Sequence, residues 1–271
     1  MKNRGASPPF AKKSLGQNFL TDERYIAAII DAVDPQPSEA IIEIGPGRGA
    51  LTERLLAKGS RVAAIELDRD LAAALRTRFS AQQDFTLIEA DVLDIDFSEI
   101  VRSMGLSIPV KLVANLPYNI STPILRRLAE QHLVCSAMIL MFQREVVERL
   151  IAQPGSSKRG LLTVITEAFF NVERLFDVPP EAFDPKPKVW SSVTRFVPRN
   201  DHISFSPNFL KLLKTAFSHK RKTILNNLDL RFPDAKKALL TADIDPKRRA
   251  ESLTLSEWIV LDKIISCSEP S

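Results

Sequence analysis

The sequence has few of the residues that build disulfide frameworks or metal sites. Its two cysteines, Cys135 and Cys267, lie far apart and form no Cys-x-x-Cys pattern, so they indicate neither kind of structure. The three histidines are scattered and show no ligand spacing. We therefore expect no bound metal ion, and a reducing cytoplasm is the default location for such a chain.

Long apolar runs are also absent. No stretch of about 18 apolar residues occurs, so no membrane-spanning helix is predicted. The region Met1–Lys13 is basic and contains proline, but it lacks the apolar stretch of a secretory signal. No internal repeats or low-complexity tracts occur. At 271 residues with 45% hydrophobic content, the chain can form one large domain or two modest ones with a real core.

Positive charge is in slight excess and is locally concentrated. The 37 Lys and Arg residues exceed the 33 Asp and Glu residues by four, which alone is weak evidence for a polyanionic partner. Clusters at Lys12-Lys13 and at His219–Lys222 are more informative. Each cluster fits either a solvated face or a contact with an anionic partner.

The stretch Ile41–Thr52 predicts a strand, a glycine turn and a helix in immediate succession. Residues 41–44 are three isoleucines and one glutamate, as expected of a buried strand. Glycines then occupy the alternate positions Gly45, Gly47 and Gly49, and three leucines follow at helical spacing. Glycine is required where the backbone turns sharply and a ligand comes close. This pattern predicts the first unit of a doubly wound sheet, although it also fits a tight turn without a ligand.

Strands and helices continue to alternate up to residue 197. Further strands are predicted at residues 61–65, 85–88, 110–114, 134–142, 172–178 and 189–197. Helices are predicted at residues 68–79, 121–132, 143–151 and 161–170, and before the first strand a helix capped by Thr21. The connector Pro179–Lys188 contains three X-Pro bonds that favour an extended path, so the strands on either side should be antiparallel neighbours.

The pattern changes to helices alone from about residue 205. Apolar residues recur there at helical spacing, as in Phe209, Leu213 and Phe217. The sequence therefore predicts an α/β domain at residues 1–200, with a mostly parallel Rossmann-like sheet and an antiparallel edge hairpin. A small all-helical domain should follow at residues 205–271.

Polar residues end several of the predicted parallel strands. Glu66 ends the second strand, Asp91 follows the third, and Asn115 ends the fourth, beside the glycine turn of the first. Ligands of such sheets bind at the carboxyl ends of the strands. Glu66 could accept hydrogen bonds from both ribose hydroxyls, and Asp91 from an adenine amine. These residues predict an adenosine pocket, although each acid could instead only cap the next helix.

The spacing alone leaves the kind of adenosine cofactor open. Gly45-x-Gly47-x-x-Ala50 also satisfies the dinucleotide fingerprint, so an NAD-dependent oxidoreductase is an alternative. Two features argue against it. Glu43 should point toward the glycine loop, where an acid suits a cationic ligand better than a pyrophosphate. The run Asn115–Tyr118 has no role in hydride transfer.

Five segments carry a resemblance to a known family. Glu43-x-Gly45-x-Gly47-x-Gly49 resembles the S-adenosylmethionine loop of class I methyltransferases, and Asn115–Tyr118 resembles the motif of enzymes that methylate exocyclic amines of bases. With Leu15–Leu20, Gln143–Val147 and Phe183–Val189, the set is similar to the small-subunit ribosomal RNA adenine dimethyltransferases, from about residue 10 to about residue 260. Antibiotic-resistance rRNA methylases and mitochondrial transcription factor B proteins share this core.

The resemblance implies dimethylation of the N6 amines of two adjacent adenosines in small-subunit (16S) rRNA, with S-adenosylmethionine as the methyl donor. It implies small-subunit rRNA or a pre-30S ribosomal particle as the partner, and a part in ribosome biogenesis in the cytoplasm. We expect a monomer without membrane contact. The alternative from another class is a non-catalytic rRNA-binding assembly or transcription factor on the same fold.

The chemistry of the motif assigns its residues. The Asn115 side-chain oxygen and the Leu116 carbonyl, exposed by Pro117, could accept both protons of an adenine amine and expose the nitrogen lone pair. Tyr118 should stack on the flipped base, and by resemblance Phe183 covers its other face. The predicted cofactor residues are Asn18, Leu20, Glu43, Gly45, Gly47, Glu66, Asp91 and Asn115. The first two rest on the resemblance, which implies the Asn18 side chain and the Leu20 backbone. The predicted RNA contacts are Lys220, Arg221 and Lys222.

Overall fold

A computed structural model describes residues 11–12, 16–117, 121–199 and 205–268. The chain divides into two compact units. The first consists of Met1–Val147 and Asn171–Pro198, and the second of Glu148–Phe170 and Arg199–Ser271. The predicted domain boundary at residues 200–205 is close to Pro198, after which the chain passes from the first unit into the second. The sequence prediction included Glu148–Phe170 in the sheet domain, whereas the structure places this segment in the second unit.

The first unit is built on a seven-stranded sheet, with a separate two-stranded sheet beside it. The strands of the large sheet are β2 (Ala40–Ile44), β3 (Arg61–Glu66), β4 (Phe85–Glu89), β5 (Val110–Asn115), β6 (Cys135–Gln143), β7 (Phe170–Val178) and β9 (Ser191–Pro198). The small sheet pairs β1 (Phe19–Leu20) with β8 (Phe183–Asp184) in antiparallel orientation.

The large sheet has the strand order β4-β3-β2-β5-β6-β9-β7. Its first five strands are parallel to one another, and β9 is antiparallel to β6. This arrangement confirms the predicted Rossmann-like sheet with an antiparallel edge. The two strands predicted on either side of the proline-rich connector, β7 and β9, are neighbours in the sheet.

Six α-helices lie in the described residues up to Leu150, and the chain passes from the first unit to the second within the last of them. They are α1 (Glu23–Val33), α2 (Ala50–Ala57), α3 (Arg69–Arg78), α4 (Phe97–Ser103), α5 (Ser121–Glu130) and α6 (Arg144–Leu150). The prediction that Thr21 caps α1 is wrong. Asp22 is the cap, and its side chain accepts a hydrogen bond from the Arg24 amide. The Thr21 hydroxyl donates instead to the Ala182 carbonyl, 3.2 Å away.

Apolar side chains of α1 pack on one face of the sheet. The stripe Ile26, Ile29, Ile30 and Val33 is buried, as its helical spacing predicts. It joins a cluster with apolar residues of β2, β3, β5 and β6. Burial of each such side chain contributes roughly 1.5–3 kcal/mol. This core fixes the strands whose carboxyl ends form the site.

The second unit is helical. Its helices are α7 (Leu161–Phe169), α8 (Phe209–Ala216), α9 (Ile224–Leu228), α10 (Ala235–Thr241) and α11 (Leu255–Ser268). Trp258 of α11 is fully buried and packs against the Phe217 ring with centroids 5.7 Å apart. Within the described ranges, every helix is too short or too polar to cross a membrane.

Candidate active site

The sheet has a topological switch point between β2 and β5. From β2 the chain continues to β3 and β4 on one side, whereas β5 lies on the other side of β2. Crevices at such points are where α/β sheets bind ligands. A cavity of about 150 Å³ lies there, at the carboxyl ends of the strands. Its lining includes the predicted residues Asn18, Gly45, Gly47, Glu66, Asp91, Asn115, Leu116 and Pro117.

The glycine turn bends so sharply that it needs glycine. Gly45 and Gly47 have φ angles of 66° and 58°, in the left-handed region that disfavours other residues. A Cβ atom added to Gly47 would lie 2.9 Å from the Phe19 ring. The turn therefore brings bare backbone to the cavity wall, with the aromatic ring of Phe19 packed against it.

Glu66 ties the glycine turn to the start of α3. One carboxylate oxygen accepts a hydrogen bond from the Gly47 amide at 3.2 Å, and the other accepts from the Asp68 amide at 2.9 Å. Burial raises the pKa of Glu66, and these two amide hydrogen bonds oppose that rise. A carboxylate can accept about four hydrogen bonds. The two positions still available match the two hydroxyls of a ribose.

Asp91 lines the cavity and also caps a short helical turn. Its side chain accepts a hydrogen bond from the Leu93 amide at 2.9 Å, at the start of a 3-10 turn spanning Val92–Asp94. The capping role considered for this acid is therefore present in the structure. The cap uses one carboxylate oxygen and fixes the side chain at the cavity wall, which is compatible with a second role toward an adenine amine.

Glu43 lies outside the cavity lining. It is buried in β2 and accepts a hydrogen bond from the Thr52 hydroxyl of α2 at 2.6 Å. Burial raises the pKa of Glu43 to about 7, against the lowering effect of the Thr52 hydrogen bond. Its carboxyl group thus contacts the first turn of α2, directly after the glycine turn, and the role of Glu43 toward the ligand stays a prediction.

Asn115 is held by the main chain of the N-terminal segment. Its side-chain nitrogen donates to the Asn18 carbonyl oxygen at 3.2 Å. Because a carbonyl oxygen only accepts, this contact fixes which end of the amide faces Asn18 and turns the side-chain oxygen the other way. That oxygen accepts no hydrogen bond from the residues that the structure describes.

The two residues after Asn115 shape the same wall. The Leu116 amide donates to the Met141 carbonyl of β6 at 3.2 Å. Pro117 has no amide hydrogen to donate. The Leu116 carbonyl makes no hydrogen bond within the described part of the chain, so it is available as an acceptor near the Asn115 oxygen.

The segment Gly16–Phe19 forms another wall of the cavity. The Gln17 side chain donates to Asp68 at 2.9 Å, and the Lys12 ammonium group donates to Asp68 at 2.6 Å. These contacts hold the pKa of Asp68 below its usual value, against the effect of burial. They fasten the segment to the start of α3, on the opposite side of the cavity from Asn115.

Three predicted residues differ from their expected positions or cannot be placed. Tyr118 lies outside the described residues. Phe183 and Leu20 are backbone partners in the small sheet, and both are buried in the apolar cluster on α1. They do not line the cavity. The buried Phe183 ring packs in this cluster and does not offer a face for a base. The role predicted for Leu20 concerns its backbone and stays a prediction.

The predicted RNA-binding residues lie in the second unit. Lys220, Arg221 and Lys222 are exposed in the turn between α8 and α9. The Lys220 ammonium group donates to the Ser157 carbonyl at 2.6 Å, which joins this turn to residues 153–160, the loop before α7 that contains Lys158 and Arg159.

Several apolar cavity residues were not predicted. Leu67 and Val92 each follow a strand-end acid directly, and both line the cavity. Leu67 is 52% exposed, which is unusual for a leucine and suits contact with the flat ring of a ligand. Their position immediately after Glu66 and Asp91 is the signal that could have identified them.

Known proteins match the chain along nearly its whole length. The profile of the family described as "Ribosomal RNA adenine dimethylase" matches residues 10–266. "Ribosomal RNA small subunit methyltransferase A" of Saccharophagus degradans is 41% identical, over 98% of this chain and 99% of its own. The protein with the same name from Laribacter hongkongensis is 44% identical, over 92% of this chain and 94% of its own.

Solved structures confirm the fold. A dimethyladenosine transferase from Plasmodium falciparum has a TM-score of 0.75 at 24% identity, covering 90% of this chain and 95% of that one. The 23S rRNA methyltransferase ErmE has a TM-score of 0.67 at 24% identity, covering 92% and 100%. These similarities establish the predicted class I methyltransferase architecture.

The family match decides between the interpretations of the glycine turn. It favours the methyltransferase over the NAD-dependent oxidoreductase, because the matching family is a methylase family over residues 10–266. The fold and the family together imply the use of S-adenosylmethionine. On the profile match and on identities above 40% across more than nine-tenths of its length, this chain belongs to the ribosomal RNA adenine dimethylase family.

Proposed function

We propose that this protein uses S-adenosylmethionine to dimethylate the N6 amines of two adjacent adenosines in small-subunit (16S) rRNA. The observation that carries the proposal is the forced orientation of the Asn115 amide at a cavity that also contains Glu66 and Asp91. The small subunit as substrate is supported by the names of the curated relatives. The setting is ribosome biogenesis in the cytoplasm.

The residues present fit the nucleoside part of the cofactor. Glu66 offers its two remaining acceptor positions to the ribose hydroxyls, and Asp91 accepts from the adenine amine. Gly45 and Gly47 allow the ligand to approach the backbone, and Leu67 packs on the adenine ring. When bound, S-adenosylmethionine supplies a methyl group on a positively charged sulfur, which leaves as a neutral thioether.

Asn115 and Leu116 activate the acceptor amine. An adenine amine is a poor nucleophile because its lone pair is delocalised into the ring. Hydrogen bonds from its two protons to the Asn115 side-chain oxygen and the Leu116 carbonyl draw the nitrogen toward tetrahedral geometry and expose the lone pair. As the N–CH3 bond forms and the S–CH3 bond breaks, the methylated nitrogen becomes acidic and releases its proton to water. A strong base is therefore unnecessary, and the protein contributes mainly by positioning the reactants.

Other residues hold the RNA. Tyr118, which directly follows Pro117 in the sequence, stacks on the extruded adenine. Phe183 is left with a packing role because its ring is buried. Lys220, Arg221 and Lys222 contact phosphates of the structured RNA, which gives affinity that falls with salt. The substrate is rRNA or a pre-30S particle, and the protein acts as a monomer.

Methyl transfer from labelled S-adenosylmethionine tests the proposal. Purified protein is incubated with small ribosomal subunits that lack the modification, and the nucleosides of the product RNA are identified. The expected product is N6,N6-dimethyladenosine at two adjacent positions. RNA that binds the protein but gains no label would support the non-catalytic assembly factor instead. Parallel reactions with free rRNA and with partly assembled particles identify the preferred substrate.

A further inference from the structure

Trp190 is exposed to an extent that is unusual for its size. It is 46% exposed, and it is the only exposed aromatic side chain in the described ranges. The other tryptophan, Trp258, is fully buried. The exposed indole offers a large flat apolar face together with a polar N–H group, which suits contact with a partner.

Its position relates it to the active site. Trp190 directly precedes β9, whose first residue, Ser191, pairs with Gln143 of β6. Asn115 of β5 pairs with Met141 of the same strand. Trp190 therefore lies at the same edge of the sheet as Asn115, two strands away. Adjacent strands are about 4.8 Å apart, so the lateral separation is about 10 Å, and the strand registers place Trp190 about three residues, or roughly 10 Å, further along the strand direction. The backbone separation is therefore about 14 Å, which is about four stacked nucleotides at ~3.4 Å each.

The backbone at Trp190 is fixed. Its carbonyl accepts a hydrogen bond from the Arg144 amide at 2.9 Å, at the junction of β6 and α6. The sheet ladder begins at the next residue. An aromatic side chain on such a backbone has only two torsions to order, so little entropy is lost when a flat partner stacks on it.

The surrounding charges suit a polyanion. Lys188, two residues before Trp190, is exposed and makes no ion pair with any residue the structure describes. Two of the nearby acids are paired, Asp177 with Arg174 and Glu181 with Lys186, whereas Glu145 beside Arg144 is exposed. Arg144 lies 3.9 Å from Asp177 and adds further positive charge.

We infer that Trp190 is a stacking platform for an unpaired base of the rRNA substrate, a few nucleotides from the target adenosine, with Lys188 on the adjoining phosphate. The inference rests on the proposed function and adds a positioning residue to it. RNA fits this surface because every base offers a flat face for the indole, whereas the phosphates match the lysine.

Two variants of Trp190 and a matched control test the inference. Trp190→Ala should raise the KM for small-subunit RNA roughly 5- to 100-fold, the range expected for the loss of one stacked base. The KM for S-adenosylmethionine and the salt dependence of RNA binding should not change. Trp190→Phe should stay within about threefold of wild type, because phenylalanine still stacks. Leu133→Ala removes a side chain that is 60% exposed before the start of β6, at the opposite edge, and should have no effect.

Fluorescence gives a readout that a merely structural role would not move. Stacking on a base quenches indole emission, so added RNA should quench the wild-type protein. In Trp190→Phe, only the buried Trp258 emits, and the quenching should be lost. Lys188→Ala should reduce the slope of log affinity against log salt by about 1.

The failure of the inference is distinguishable from failure of the proposed function. If wild-type protein methylates the RNA and Trp190→Ala matches it in KM, the stacking role is overturned while the activity stands. Equal quenching in Trp190→Phe and wild type would also overturn it. A wild-type protein that transfers no methyl group would contradict the proposed function. If Trp190→Ala then also loses binding to a protein of the small subunit, the surface is a protein contact and both proposals fail.

Discussion

The side-chain amide of Asn115 donates to the main-chain carbonyl of Asn18 across 3.2 Å, joining residues 97 positions apart in the sequence. The contact links the end of β5 to the segment that walls the cavity. It selects one of the two amide orientations and leaves the side-chain oxygen without a hydrogen bond to the described residues. The N-terminal segment thus sets the polarity of the proposed catalytic group.

Substitutions at Asn115 should lower the rate of methyl transfer and leave RNA affinity nearly unchanged. Asn115→Ala removes the acceptor, and we expect methyl transfer to fall at least 100-fold while RNA affinity changes less than about threefold. Asn115→Asp keeps an acceptor but sets a carboxylate against the Asn18 carbonyl, so it should also lose turnover. Single-turnover methylation and filter binding measure the two effects. Near-normal turnover in either variant would refute the assigned role.

Gly47→Ala should disturb the cavity wall through contact as well as backbone strain. The new methyl group would meet the Phe19 ring at 2.9 Å. Gly105→Ala is a matched control, because Gly105 has a similar φ of 65° but nothing within 4 Å of an added Cβ. Gly105→Ala should lose about 1–2 kcal/mol of stability from backbone strain alone, and Gly47→Ala should lose more because of the added contact. Calorimetric titration should show weaker S-adenosylmethionine binding for Gly47→Ala alone; equal affinities would contradict the close packing.

Glu66→Gln should weaken cofactor binding. The amide that replaces the carboxylate can accept on only one side, so either the Gly47 or the Asp68 amide loses its partner, at a cost of about 1–3 kcal/mol. Glu89, the register partner of Glu66 on β4, is exposed and provides the control Glu89→Gln. We expect a 10- to 100-fold increase in Kd for S-adenosylmethionine in Glu66→Gln and none in Glu89→Gln. Identical Kd values would remove Glu66 from the site.

Glu43 should make stability depend on pH. Its pKa is about 7 in the folded state against an ordinary 4.5, so between these values the folded protein holds a proton that the unfolded chain has lost. Stability from this group is therefore complete below pH 4.5 and declines as pH rises to 7. The difference corresponds to about 3 kcal/mol.

The variant Glu43→Gln isolates this effect. Glutamine can still accept from the Thr52 hydroxyl but does not titrate. Relative to Glu43→Gln, the wild type should become less stable by about 3 kcal/mol between pH 4.5 and pH 8, as measured by urea unfolding. A difference that is constant over this pH range would show that the Glu43 carboxyl does not titrate with folding.

Alanine at Lys220, Arg221 and Lys222 should weaken RNA binding and flatten its salt dependence. Each phosphate contact contributes about 1 to the slope of log affinity against log salt. Because the Lys220 ammonium group already donates to the Ser157 carbonyl, we expect a reduction nearer two than three. Binding measured at several salt concentrations checks this. An unchanged slope would identify the turn as a solvated surface.

Sequence periodicity located most elements, since apolar spacing follows directly from which face of a strand or helix is buried. Periodicity did not detect the short helices and strands. The helix α4 has only seven residues, and the two-residue strands β1 and β8 are below the length at which a period can be recognised. Periodicity also could not show that Glu148–Phe170 belongs with the second unit, because an amphipathic pattern does not identify the core it packs on.

Strand-end residues were recognised as cavity residues because parallel strands align their carboxyl ends. Contacts across long sequence separations were not accessible in this way. The orientation of Asn115 depends on the Asn18 carbonyl, 97 positions away in the sequence. Likewise, Thr21 and Asp22 are both suitable caps, and the position of the Ala182 carbonyl determined which of them caps α1.

The first unit is discontinuous along the chain, with β9 joining the sheet only after the excursion through residues 148–170. During synthesis, β6 therefore has an open edge until residues 191–198 leave the ribosome. A fragment ending at Val147 would expose the backbone of an apolar strand and should aggregate. The order in which segments leave the ribosome, as well as the stability of the folded protein, thus limits where the chain can be truncated.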